Sequence, residues 1–392
     1  MSITIDVSYK SYNHVGEELC GDKVEIVKTD NSKILILADG MLSGVQANIF
    51  STMTSKILGT LFYNGMSIDD AVETVVKTLP TSNINGEAYS TFSIIQIFDN
   101  GETYVVNYDN PRCICIREHA LLELPFEERT IYGKKIEECR FWAHPGDAFI
   151  AMSDGCIYCS GDNTMNLKWN RDAVADYALT CEKKTKSATR LASMIDDMCY
   201  DLYLGQPKDD TTVGVVRILA EKRVNIFTGP PASKEDDERI MHDFMSAEGL
   251  KIVAGGSSSQ IAARILGLEL KTDYDTMADG VPPMAIMPHS EIDIITEGVI
   301  TLQRVINLLE RYISGDVDID FYDELDKKQG PSKIATALID ECTKAVFYVG
   351  TAANTVADKK NLTFEISPRK SIVLRLEELL HQMDKDVEIK YY

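Results

Sequence analysis

The chain has no apolar run approaching the ~20 residues that a membrane-spanning helix needs. Its start, MSITIDVSYKSYN, carries neither the basic segment nor the apolar core of a secretory leader. A cytoplasmic location is therefore expected. Positive charge is also scarce. Only 40 Lys and Arg stand against 61 Asp and Glu, a net charge of −21. Too few cations remain to neutralise phosphates, which argues against nucleic acid and against anionic membranes as partners. Nine cysteines are present, and a cytoplasmic chain keeps them reduced. One CxxC, Cys156-Ile157-Tyr158-Cys159, has no second CxxC or CxxH to complete four ligands, so no structural zinc is expected. Internal repeats and low-complexity tracts are absent as well.

What the chain does have is a set of short acidic segments: Gly21-Asp22, Asp39-Gly40, Asp154-Gly155 and Asp209-Asp210. Lys33 to Ala38 (KILILA) reads as a strand running into Asp39, and Ala148 to Met152 as one running towards Asp154. Asp209-Asp210 leads into the apolar run Thr212 to Ile218. An aspartate at a strand end can point into a cleft, and a following Gly lets the backbone turn sharply. Carboxylates gathered in this way repel, by ~3 kcal/mol for one pair at ~5 Å and an effective dielectric of ~20. Such a cluster calls for cations, and hard oxygen ligands favour Mg²⁺ or Mn²⁺. The pattern reads as a metal-dependent hydrolase.

At 392 residues the chain exceeds one ordinary core, and two domains are expected, 1–220 and 222–392. The first half is strand-rich. Val24 to Thr29 and Lys33 to Ala38 flank the turn Asp30-Asn31-Ser32. Ser43 to Phe62 carries Val45, Ile49, Met53, Ile57 and Leu61 at helical spacing, and Ile68 to Leu79 reads as a helix capped by Ser67. Short strands then recur as SIIQIF, TYVVNY, RCICIR, ALLEL and AFIAM, followed by helices near Arg171–Thr180 and Ser187–Leu204. Many antiparallel strands with helices on both faces suggest a layered sandwich.

These residues carry a resemblance. Cys20-Gly21-Asp22, Ala38-Asp39-Gly40-Met41 with Gly44 and Ala47 following, Ser153-Asp154-Gly155 and Asp209-Asp210-Thr211-Thr212 resemble, in order and spacing, the bacterial metal-dependent serine/threonine phosphatases of the stage II sporulation protein E type. The resemblance covers a little over half the chain. It implies an α+β fold, an α-β-β-α sandwich, with two Mn²⁺ or Mg²⁺ ions and room for a third. It implies that Asp39 bridges both ions, that the Gly40 carbonyl binds one, and that Asp154 and Asp209 bind the other. Asp22 would hold metal-bound water, and Asp210 would face the site. The implied catalytic residues are Asp22 and Asp39. The implied reaction is hydrolysis of phosphoserine or phosphothreonine in a bacterial signalling protein by metal-activated water. Leu42 stands where the group often has Gly, and no Arg precedes Asp22 to grip phosphate, which leaves Lys10, Lys23 or His14. Two rival readings stay open: a pseudophosphatase that binds a partner, and a phosphatase for small molecules or nucleotides. A homo-oligomer is compatible with either.

The second half alternates strands and helices, which argues for a smaller α/β domain. Strands are expected at Val224–Phe227 and Leu250–Ala254. Helices are expected near Lys234–Ala247, Gln260–Leu266, Thr301–Ile313, Lys333–Cys342 and Ser371–Gln382. Gly255, Gly256, Ser257, Ser258 and Ser259 form a loop before a helix, a setting that suits an anion, although serines also cap helices with no ligand. The ending of a Walker A motif is missing. The acidic residues Asp273, Asp275, Asp279, Asp293 and Glu297 follow. A regulatory or ligand-binding role is expected for this domain.

Overall fold

The computed structural model describes residues 3–41, 44–79, 90–159, 169–278, 280–315, 317–352 and 368–392. Leu42 and Asp279 lie outside them. The chain divides into two compact units, Met1–Ala220 and Glu221–Tyr392.

In the first unit, β1 (Ile3–Tyr12) precedes a hairpin of β2 (Asp22–Lys28) and β3 (Ser32–Gly40). Helices α1 (Gly44–Tyr63) and α2 (Ile68–Thr78) follow. Next come β4 (Ser90–Phe98), β5 (Glu102–Tyr108), β6 (Ile114–Arg117), β7 (Ala120–Leu122), β8 (Glu127–Ile131), β9 (Lys134–Trp142) and β10 (Ala148–Met152). Helices α3 (Gly155–Tyr158), α4 (Arg171–Glu182) and α5 (Ala188–Leu202) lead to β11 (Thr211–Ala220). Two antiparallel sheets result, ordered β2-β3-β4-β5-β9-β8 and β1-β11-β10-β6-β7.

The alternation of β3 shows why they stack. Ile34, Ile36 and Ala38 pack under α1 and α2, while Leu35 and Leu37 face the other sheet. Successive side chains of a strand point to opposite faces, so a strand covered on both sides must be apolar throughout. The second sheet repeats the scheme. Val216 and Ile218 of β11 enter the core between the sheets, and Val213 and Val215 pack under α3, α4 and α5. The layers are helix, sheet, sheet, helix, the α+β sandwich that the resemblance implies.

Two features depart from the sequence reading. On α1 the apolar residues Val45, Ile49 and Met53 lie outward, with Val45 61% exposed. The buried face is Ala47, Ser51, Thr54, Ser55, Leu58, Gly59 and Phe62. Small residues let the helix come close to the sheet: a Cβ on Gly59 would press on Glu25 and Val27. Strands β8 and β9 carry EERTI and KKIEECRFW, whose charges hide the strand pattern. β8 is the edge strand of its sheet, and β9 lies next to it, between β8 and β5.

The second unit holds β12 (Arg223–Thr228), α6 (Asp237–Met245), β13 (Leu250–Ala254), α7 (Gly256–Leu266), β14 (Lys271–Asp273), β15 (Met284–Ile286) and β16 (Ile294–Thr296). Helices α8 (Val299–Ser314), α9 (Ile319–Leu325) and α10 (Gly330–Asp340) follow, then β17 (Lys344–Val349), α11 (Pro368–Gln382) and β18 (Asp386–Tyr391). Its sheet runs β14-β15-β16-β13-β12-β17-β18. The five strands from β16 to β18 are mutually parallel, and β14 and β15 add an antiparallel edge. Helices α6 and α7 cover one face over Phe227, Val253 and Tyr348. Helices α8 to α11 cover the other over Ile226, Ile252 and Phe347. This is a doubly wound α/β unit, and strand order reverses between β12 and β17. The expected Gly-Ser loop is mostly helix, because Gly256 to Ser259 form the first turn of α7.

Candidate functional site

The site in the first unit starts with the β2–β3 hairpin. Its turn is pinned by Thr29, whose amide donates to the Ser32 carbonyl at 2.9 Å and whose Oγ1 accepts from the Ser32 amide at 2.9 Å. The register this sets pairs Asp22 with Asp39 at the far end. Opposed residues of an antiparallel pair share a face, and like charges there repel. Gly40 follows; a Cβ there would overlap the Ala47 carbonyl of α1, so only glycine fits.

The second sheet delivers the other acids. Strands β10 and β11 pair up to Met152 and Val213. The Ser153 amide then donates to the Thr212 carbonyl, and the Thr212 amide to Ser153 Oγ, each at 3.0 Å. This clasp sets Asp154 beside the Asp209-Asp210 segment. A Cβ on Gly155 would overlap the Asp210 carbonyl, so the two loops touch backbone to backbone. Asp210 is buried, and its Oδ1 accepts from the His14 amide at 3.0 Å. The His14 Nδ1 lies 3.7 Å from Glu17 Oε1.

The electrostatics follow from burial and crowding. Burial, then Asp154, Asp209 and Asp210, push the Asp39 carboxyl up to about 7. Burial, then Asp39, hold Asp22 well above the usual carboxylate range, against hydrogen bonds from Ser153 and Thr212. Burial, then Asp154, raise Asp209 to about 6. Asp154 is raised chiefly by burial. Among the described residues no lysine or arginine forms an ion pair with any of these five acids. The Asp22 Oδ2 is buried without a partner. Such a donor set fits a hard divalent cation. Among the described residues no three His, Cys, Asp or Glu side chains form a ready-made metal shell. Bare carboxylates hold apart, and a cation's charge is what would draw them in.

A cavity of about 570 Å³ opens over Asp39, Gly40, Asp154 and Asp209. Its wall also includes Thr91, Asp109 and Asn110, which the sequence reading passed over. Asp109 sits at φ 57°, and its charge raises Asp154. The signal was available, since Asp109-Asn110-Pro111 is another acid at a strand end followed by turn residues. Thr91 Oγ1 donates to Asn110 Oδ1 at 2.6 Å and steadies that turn. Behind the Asp154 loop, Cys156, Cys159 and Cys199 are buried free thiols. The Cys159 and Cys199 thiols both donate to the Cys156 carbonyl, at 3.4 and 3.6 Å. The CxxC is core packing under the loop.

Residues 29–219 match the family model described as stage II sporulation protein E. Those residues are similar to this family over just under half of the chain. The matched segment lies within the first unit, whose layered sheets and helices make an α+β fold. The family segment takes in Asp39, Gly40, Asp154, Asp209 and Asp210, while Asp22 precedes it. No curated protein matches the chain. Among solved structures, the PP2C phosphatase domain with a regulatory fragment of SpoIIE from Bacillus subtilis is 21% identical, with a TM-score of 0.47. That match covers 56% of this chain and 64% of the other, under two thirds of the other's length. The RsbU and RsbW domains of a Mycobacterium tuberculosis protein are 16% identical over 71% of this chain and 72% of theirs, with a TM-score of 0.46. The catalytic domain of the phosphatase PstP, in complex with two manganese ions, is 14% identical over 56% of this chain and all of its own, with a TM-score of 0.38.

In the second unit, Gly255 takes φ 142° between β13 and α7. Ser258 and Ser259 are buried. The Ser258 Oγ accepts from the Gly229 amide at 2.7 Å, and the Ser259 Oγ donates to the Gly256 carbonyl at 2.9 Å. Both hydroxyls are turned inward, and Gly256 and Ser257 are left facing a small cavity. Asp273 caps a short turn through the Asp275 amide, and Asp293 accepts from the Lys251 amide at 2.8 Å. Glu297 accepts from the amides of Ile300 and Thr301 at the start of α8.

Proposed function

We propose that residues 1–220 hydrolyse phosphoserine or phosphothreonine in a protein substrate, using two Mn²⁺ or Mg²⁺ ions. The observation that carries this reading is the convergence of Asp22, Asp39, Asp154 and Asp209 without a basic partner, within a family of protein phosphatases. When bound, such ions supply a nucleophilic water at neutral pH and offset charge on the phosphoryl oxygens. Asp39 stands between Asp22 on its own sheet and the two acids of the other sheet, which suits it to bridge. The Gly40 carbonyl beside it suits one ion, and Asp154 and Asp209 suit the other. Asp22, buried and held by Ser153 and Thr212, suits the role of steadying bound water. Asp210 anchors the His14 loop.

Among the described residues no serine or cysteine lines the cavity, in keeping with attack by water rather than by a protein nucleophile. Ile157, Tyr158 and Pro111 give it a partly apolar wall, which suits a peptide. Residues 222–392 are proposed to regulate the first unit or to bind a ligand for it.

The test is turnover of a phosphopeptide panel beside small phosphate esters, with Mn²⁺ and for Asp39→Ala. Loss of all hydrolysis in the variant, with the fold kept, is expected. Retention of more than about a tenth of turnover, only ~1.4 kcal/mol of barrier, would remove Asp39 from the chemistry.

A further inference from the structure

The second unit contains a crevice that the phosphatase chemistry does not use. It lies at the carboxyl ends of the parallel strands, close to the point where strand order reverses between β12 and β17. Helices α6 and α7 lie on one face of the sheet and α11 on the other. A gap at the strand ends is lined by the start of α7 and the start of α11. Open α/β sheets bind ligands in such gaps.

This gap is a cavity of about 160 Å³, room for about five waters. It is below the ~300 Å³ of a drug-sized pocket. One wall is the start of α7, which has no side-chain cap. The first amides of a helix have no acceptor within it, so those of Gly256 and Ser257 stand open at the cavity. A Cβ on Gly256 would meet nothing within 4 Å. Another wall carries a cation. Arg369, at the start of α11, lays its guanidinium against the backbone of Gly229, where a Cβ would overlap it. It is half-buried, and its hydrogen bond is to the Gly350 carbonyl, at 3.2 Å. Burial lowers its pKa, and among the described residues no carboxylate offsets that. Among the described residues Glu297 is the acid on the lining, and its charge already serves two amides of α8. The rest of the described lining joins the hydroxyl residues Thr228, Ser257 and Ser258 to the apolar Val299, Leu302 and Ile372.

We infer that this crevice binds a phosphoryl group, held by Arg369 and by the amides of Gly256 and Ser257. The source is either inorganic phosphate or a small phosphate monoester. A planar guanidinium and open helix amides together match tetrahedral oxyanions. The small volume admits the phosphoryl group and little else. The Ser259 hydroxyl already donates to the Gly256 carbonyl, whereas Ser258, on the lining, accepts from the Gly229 amide and keeps its own proton to donate.

The test is calorimetric titration of the full chain in EDTA, with inorganic phosphate and with glycerol phosphate. Without metal, the acidic cluster of the first unit repels phosphate, so its contribution is removed. Saturable binding at one site is expected. Arg369→Gln should weaken it about tenfold or more, the worth of a hydrogen bond to a charged group. Gly256→Asp should abolish it while the melting temperature holds or rises, because a carboxylate suits a helix start and repels an anion. Tighter binding of the ester would name an ester as the source, and tighter binding of phosphate the free anion. Absence of saturable binding, or binding unchanged in both variants, overturns the inference.

Discussion

Asp22 and Asp39 face each other across β2 and β3, in register, at the end of the hairpin that meets the second sheet. Two buried carboxylates in that relation cannot both be charged cheaply. The folded protein without metal therefore holds protons there that the unfolded chain releases.

That sets a pH dependence. Unfolded aspartates titrate near ~3.9. Asp39 is pushed up to about 7 and Asp209 to about 6. Between those values the folded state binds more protons, so stability falls as pH rises from about 4 to about 7. In EDTA the melting temperature should be lower at about pH 8 than at about pH 5. Excess Mn²⁺ should shrink or reverse the difference, because it binds the deprotonated forms. Asp39→Asn should flatten the metal-free profile. An equal or higher metal-free melting temperature at about pH 8 would mean that the acids are too far apart to couple.

Gly155→Ala should lower turnover by about tenfold or more, with a modest fall in melting temperature. The added methyl would overlap the Asp210 carbonyl and push Asp154 away from Asp209. Positioning errors of this kind act mainly on rate, up to ~100-fold for ~1 Å. Kinetics at saturating Mn²⁺ check it. A variant as active as the parent would show that the loops need not touch.

Glu182→Ala should destabilise the first unit by ~3–5 kcal/mol, read by urea unfolding. Arg217 is 1% exposed, donates to Glu182 at 2.8 Å and to the Thr185 carbonyl at 2.6 Å, and would be left as a buried unpaired charge. Glu182→Leu combined with Arg217→Met should recover much of the loss. A cost below about 1 kcal/mol for Glu182→Ala would place the pair in contact with water.

A fragment ending at Ala220 should keep metal-dependent hydrolysis, since the core, both sheets and all five acids lie before that point. Its rate relative to the full chain measures any control by the second unit. A folded fragment that binds Mn²⁺ yet hydrolyses nothing would place part of the active centre beyond residue 220.

The sequence by itself determined the elements with strong local signals. KILILA had to be covered on both faces, because five apolar residues in a row, Ile34 to Ala38, cannot leave one face in water. Asp30-Asn31-Ser32 fixed the hairpin and hence the opposition of Asp22 and Asp39. The strand–helix alternation after residue 222 argued for an α/β domain. Tertiary structure decided what depends on neighbours distant in the chain. Val45, Ile49 and Met53 have ideal helical spacing, yet α1 buries its small residues instead, because close approach to β2 and β3 rewards size over polarity. The charged strands β8 and β9 exist because β5 offers them an edge. Asp109 joins the acidic cavity through a turn whose partner, Thr91, lies 18 residues earlier in sequence. Cys199 meets the CxxC, and Arg369 comes to line the same cavity as Gly256, only once helices distant in sequence are packed. Periodicity records which face a segment can bury; it does not record which distant group will be there to meet it.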